Sequence, residues 1–237
     1  MENVKKFNPN FEVEEWCFET LKKVESVEYY KFYNSTIEHK KYVVPVDKIV
    51  GTTHWSYIGR RWIDLPYQMK RFRNHYNVNS FLEFVKTEDF TNNDLSYIKY
   101  GDCFFISGGN HRTSQAKFSN LKNITTEVIE FVFDKKMYNI FQFLKSEGLN
   151  PIISEGGDGK HYDFCSWTIQ MNTKKLYFHS FKAIQKFVNT YIEVLPNIIN
   201  VVIARLSKSV PLYSYNEQQD YSHLKYSIIL HKLKTKN

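Results

Sequence analysis

Residues 100–118, YGDCFFISGGNHRTSQAKF, constrain the fold of this chain more tightly than any other stretch. Gly101-Asp102 turns the chain, and CFFI at 103–106 is a short aromatic and β-branched run that favours a strand. Ser107-Gly108-Gly109 breaks that run at once. Asn110 to Ser114 then opens a segment of helical composition that carries Gln115, Ala116 and Lys117. A strand, a glycine turn and a helix must therefore follow one another without a linker. Paired glycines leave the backbone bare and able to take positive φ. A helix beginning there aims its unpaired N–H groups and positive dipole end at the turn, a place suited to phosphate. Arg112 adds a fixed bidentate donor and His111 a second donor. The same residues also suit a plain tight turn before an exposed helical turn, so the pattern alone leaves both readings open.

With residues 44–51, VPVDKIVG, upstream of it, the stretch resembles the strand–GGxHR–helix signature of the ParB/sulfiredoxin superfamily. The likeness is greatest to the ParB-like branch, whose motif runs DGNHR, and the two blocks bracket residues 43–131. The resemblance implies an α+β fold: a ParB/sulfiredoxin-like mixed sheet with surrounding helices, extended by a carboxy-terminal α+β region. It implies a nucleoside triphosphate, CTP or ATP, bound with Mg²⁺. Its phosphates would rest on Gly108, Gly109, Asn110, His111, Arg112, Thr113 and Ser114. The polar loop after the first block, with Thr52, Thr53 and His54, would face that turn and touch base, ribose or phosphate, joined by Arg60. An ordinary capped turn accounts for the loop equally well. Sulfiredoxins carry a catalytic cysteine where this chain has Asn110, so sulfinic-acid reduction is not expected. Members of the superfamily bind, hydrolyse or transfer phosphate from nucleotides, and some are nucleases, so the resemblance points to a fold before a reaction.

Catalysis of hydrolysis or phosphoryl transfer needs a group that positions the nucleophile. Asp64 and His111 are the candidates, although Asp64 is equally placed to cap a helix. A second class of function is a DNA-binding protein or nuclease: Arg61, Lys70, Arg71 and Arg73 stand among aromatic residues, a mixture suited to phosphate contact and base stacking. The same arginines could simply lie over their own helix. A third is a small-molecule phosphotransferase whose carboxy-terminal half shapes the acceptor pocket. Net charge of +7 favours an acidic partner, nucleotide or DNA, but the basic residues are largely scattered. A homodimer is also open to the chain.

Three widely spaced cysteines, Cys17, Cys103 and Cys165, give no zinc or disulfide pattern. The absence of an apolar leader or membrane-length apolar run points to a cytoplasmic protein without a membrane partner. Three regions are expected. Residues 1–40 form an amino-terminal helical segment, with one helix over 10–34. Residues 41–150 form the nucleotide-binding domain, with a strand at 41–50, a helix at 78–85, the central motif, a strand at 125–133 and a helix at 137–148. Residues 151–237 form the carboxy-terminal α+β region. It opens with a polar loop, GGDGK at 156–160, whose spacing does not match a Walker motif. Strands follow at 164–171 and 175–178, then an amphipathic helix at 180–194. Residues 198–206 suit either helix or strand, and SIIL at 227–230 reads as a final strand.

Overall fold

Phe104, Phe105 and Ile106 are consecutive and all buried, which a strand achieves only when both its faces are covered. Phe104 and Ile106 enter the main core, while Phe105 points the other way into an aromatic cluster with Tyr100 and Phe131. The computed structural model describes residues 1–69, 77–87, 95–154, 166–207 and 214–235. The fold is α+β, with two mixed sheets. The chain divides into two compact units, Met1–Phe133 and Asp134–Asn237. This division falls ahead of the break expected at residue 150, because the helix after residue 134 belongs with the second unit, and residues 1–40 belong with the first.

In the first unit the elements run α1 (Glu2–Phe7), β1 (Tyr33–Pro45), β2 (Ile49–Thr52), α2 (Leu65–Gln68), α3 (Val78–Thr87), β3 (Ser96–Tyr100), β4 (Cys103–Gly108), α4 (Asn110–Phe118) and β5 (Asn123–Phe133). The sheet order is β1-β5-β3-β4-β2. β1 pairs with β5 and β3 with β4 in antiparallel fashion, whereas β3–β5 and β2–β4 are parallel.

Two expectations are corrected here. The helix expected over 10–34 is an irregular segment with short 3₁₀ turns at Glu15–Phe18, Val24–Ser26 and Tyr30–Phe32. Its apolar residues serve two cores: Phe11, Cys17 and Leu21 enter the main core, and Val24 and Val27 join the aromatic cluster. One helical stripe cannot face both. The segment's backbone groups go to the sheet edge and a neighbouring loop instead. Lys22 N–H donates to the Val50 carbonyl (3.1 Å), Thr52 N–H to the Lys22 carbonyl (3.2 Å) and Leu21 N–H to the Arg60 carbonyl (2.8 Å). The strand expected at 41–50 is two strands on opposite edges of the sheet. β1 ends at Pro45, a 3₁₀ turn at Val46–Lys48 redirects the chain, and β2 begins at Ile49. Proline has no N–H for a ladder, so it suits the end of an edge strand.

The second unit contains α5 (Lys135–Ser146), β6 (Ile152–Ser154), β7 (Ser166–Met171), β8 (Lys174–Phe178), α6 (Phe181–Glu193), α7 (Ile198–Leu206), β9 (Ser214–Tyr215) and α8 (Lys225–Thr235). Its sheet order is β6-β7-β8-β9. Caps fix three of the helices: Asp134, Ser180 and Asn197 each accept a backbone N–H from the first turn. The strand expected at SIIL is the middle of α8. Tyr221, Leu224 and Ile228 are buried at i, i+3 and i+7, a helical spacing that outweighs the β-branched composition. Residues 198–206 take the helical option. The GGDGK loop and Cys165 lie outside the described residues. Among the described residues, no helix is long and apolar enough to cross a membrane.

Gly51 sits where the irregular segment meets β2. A Cβ there would lie 2.1 Å from the Lys22 carbonyl oxygen and 2.8 Å from Phe105 Cδ1. Gly51→Ala should therefore cost about 1–3 kcal/mol, the usual range for overpacking. Urea unfolding checks this, and a variant as stable as wild type would contradict the close approach.

Candidate functional site

β2 and β4 run parallel with Thr52 opposite Ile106, so the loops that leave their carboxy-terminal ends emerge side by side. That is the edge of an open α/β sheet where ligands commonly bind. From β4 the chain enters the turn through Gly108 and Gly109. Gly109 has φ 81° and ψ 34° and is the cap residue of α4, with no side chain to occupy the first N–H groups of the helix. Only glycine takes this left-handed conformation without strain. No acidic residue stands in the first turn of α4 to compete with an anion.

Asn110 joins the two loops. Thr52 is fully buried, and its hydroxyl lies 2.9 Å from Asn110 Oδ1 and 3.2 Å from the Ile106 carbonyl. One O–H donates to one acceptor at a time, and the amide oxygen is the nearer. The same Thr52 oxygen accepts the His54 N–H at 3.0 Å. Thr53 N–H donates to the Ile106 carbonyl at 2.9 Å, holding the loop against β4. A second tether fixes the turn from below. The buried Tyr97 hydroxyl on β3 donates to Thr113 Oγ1 (2.8 Å), and Thr113 donates to the Gly109 carbonyl (3.2 Å). Burial pushes the Tyr97 phenol well above its ordinary pKa, so it stays a neutral donor.

The residues expected at the site thus fall into groups. Gly108, Gly109, Asn110, His111 and Arg112 are partly accessible, whereas Thr113 and Ser114 are fully buried. Thr113 is a tether, and Ser114 Oγ has no hydrogen-bond partner among the described residues. The Arg112 guanidinium lies over the Phe84 ring of α3, 5.6 Å from its centroid. Thr53 and His54 are exposed. Arg60 donates to Gln68, and Arg61 grips Asp64 with two bonds of 2.7 and 3.1 Å. Asp64 occupies the cap position of α2, but its carboxylate makes no cap bond and goes to Arg61 instead. Lys70, Arg71 and Arg73 lie outside the described residues.

No protein-family model, curated protein or solved structure matches this chain. The site therefore rests on its own geometry. One residue was missed from sequence. Trp55, 83% exposed, stacks its ring on His54 with an interplanar angle of 15° and centroids 6.4 Å apart. The sequence carries no signal for it, because only the fold shows that this tryptophan is left in water. Among the described residues there is no group of three or more His, Cys, Asp or Glu side chains able to hold a metal ion.

The far end of α4 carries a different polarity. Lys117 is only 7% exposed, and burial lowers its pKa from 10.5 to about 8, against the pull of Asp47 and Glu19. Below pH 8 both folded and unfolded chains carry this proton, and folding bears the cost of the buried ammonium. As pH rises through 8 the folded state releases the proton while the unfolded state keeps it to about 10.5. The unfolded state then binds more protons and stability rises. Between pH 7 and 9.5 wild type should gain about 2 kcal/mol relative to Lys117→Met. Urea unfolding at the two pH values measures the difference, and parallel behaviour of the two proteins would remove the buried charge from the account.

Proposed function

We propose that the first unit is a ParB-like nucleotide-binding domain that takes a nucleoside triphosphate, CTP or ATP, with its phosphates at the Gly108–Arg112 turn. The observation that carries this reading is the left-handed Gly109 cap of α4 beside the β2 loop, with Thr52 and Asn110 joining the two. A phosphate there meets backbone N–H groups, the positive end of a helix dipole and the Arg112 side chain. The resemblance of VPVDKIVG and GGNHR to the superfamily supports the same assignment. His54 and Trp55 supply an exposed aromatic surface on the neighbouring loop, to which the base would stack.

The donor set suits phosphate better than a metal held by protein. Mg²⁺ would travel with the triphosphate and lower its charge, and the candidate catalytic carboxylate, Asp64, is engaged by Arg61. The reading therefore favours binding over hydrolysis. His111, in the first turn of α4, would assist in holding phosphate rather than in moving a proton. Arg61 is neutralised by the same pair, which weakens the case for a DNA-binding face built on it.

The test is a thermal-shift series with CTP, ATP, GTP, UTP and ADP, with and without Mg²⁺. A ligand at a hundredfold its Kd should stabilise by about 2.7 kcal/mol. One nucleotide should raise Tm of wild type, the rise should vanish in Arg112→Ala, and Trp55→Ala should weaken it. No shift with any nucleotide at millimolar concentration would reduce the turn to scaffold.

A further inference from the structure

Lys117 lies on α4 seven residues beyond Asn110, about 10 Å along the helix axis from the phosphate turn. Its ammonium sits between two indoles, 4.9 Å from the Trp16 ring centroid and 4.5 Å from that of Trp62. Among the described residues it makes no hydrogen bond, and no carboxylate oxygen comes within the 4 Å of an ion pair. A buried ammonium is ordinarily paired or hydrogen-bonded, because leaving it bare is costly. The Lys117 side chain is almost wholly buried, and its nitrogen keeps its small remaining exposure where it lines a cavity. It lines a cavity of about 580 Å³ together with both tryptophans and the carboxylates Glu14, Glu19 and Asp47. That volume is in the range of small-molecule sites.

We propose that this cavity accepts a small, uncharged, flat aldehyde or ketone, which condenses with the Lys117 amine to an imine. Each part of the lining has a use in that step. Three carboxylates against Lys117 and Lys122 disfavour an anionic ligand, and the indole walls favour a planar one. Burial keeps a useful fraction of the amine unprotonated near neutral pH. The charged groups facing Nζ are Glu19 and Asp47, with the buried Cys17 thiol also nearby. The neutral nitrogen donates its lone pair to the carbonyl carbon, the C=O π pair moves to oxygen, and a proton passes from that nitrogen to the oxygen to give a carbinolamine. A proton taken up from solvent by the resulting hydroxyl lets water leave, and the nitrogen lone pair forms the C=N bond. The products are a protonated imine and one water, with no oxidant or reductant involved. This site is separate from the phosphate turn and stands whether or not a nucleotide binds there.

The test is reductive trapping on the full chain. Protein is incubated at pH 7.5 with benzaldehyde and sodium cyanoborohydride, and adducts are mapped by peptide mass spectrometry, with 4-carboxybenzaldehyde as the anionic arm. Lys117 should be labelled at least about tenfold faster than any other lysine, and faster by benzaldehyde than by the anionic aldehyde. Its labelling rate should level off with a midpoint near pH 8, where exposed lysines are still rising toward their ordinary value near 10.4. Lys117→Arg, which keeps the charge, should lose the fast adduct alone. Labelling spread over exposed lysines with Lys117 among the slowest would overturn the proposal, as would preference for the anionic aldehyde.

Discussion

The parallel pairing of β2 with β4 is the contact on which the first unit depends. Ile49, Gly51 and Thr52 lie opposite Phe104, Phe105 and Ile106. Through this pairing the irregular amino-terminal segment gains a sheet edge to bond, at Lys22, and two loops far apart in sequence come to lie together. Gly51 makes it possible by leaving room for the Lys22 carbonyl. Thr52 completes it by burying a hydroxyl that accepts from His54 and donates to Asn110. A buried hydroxyl that both donates and accepts holds geometry tightly, since a lost partner would leave a desolvated polar atom.

α4 is set against this frame as a polar helix in an apolar setting. Thr113, Ser114, Gln115 and Lys117 are all buried along it. A helix that only filled space would carry leucine or alanine at these places. Its first turn instead meets the glycine cap and the β2 loop, and its last turn carries an ammonium between two tryptophans. One helix thus carries two proposed sites, for phosphate at its beginning and for a carbonyl compound near its end. The N–H groups and dipole favour an anion at the start, while burial among apolar walls favours a neutral amine at the end.

What could be read from the sequence was local. The strand, left-handed glycine and helix at 103–118 follow from adjacent residues, and the structure has all three. The long strand ending at Phe133 and the capped helix after Ser180 were legible for the same reason. The failures were at places decided by distant partners. VVPVDKIV looks like one strand because it is rich in β-branched residues, yet the turn at Val46–Lys48 sends its halves to opposite edges of the sheet. Residues 10–34 have enough apolar residues for a helix but distribute them between two cores. SIIL was misjudged by composition, where the spacing from Tyr221 through Ile228 was the better guide. At the site, the glycine turn was visible, whereas Trp55 and Lys117 were not. A lysine near the end of a helix ordinarily lies in solvent near the helix dipole, and only the approach of Trp16 and Trp62 makes this one unusual.

The central claim, that an anion rests on the glycine cap of α4, is tested most directly by following backbone amide resonances of the ¹⁵N-labelled protein during titration with Mg²⁺-CTP and Mg²⁺-ATP. The account predicts saturable shifts at Gly108, Gly109 and Asn110, the residues of the turn, together with a shift of the Trp55 indole. Saturable shifts confined to other residues, or none at millimolar nucleotide, would contradict it.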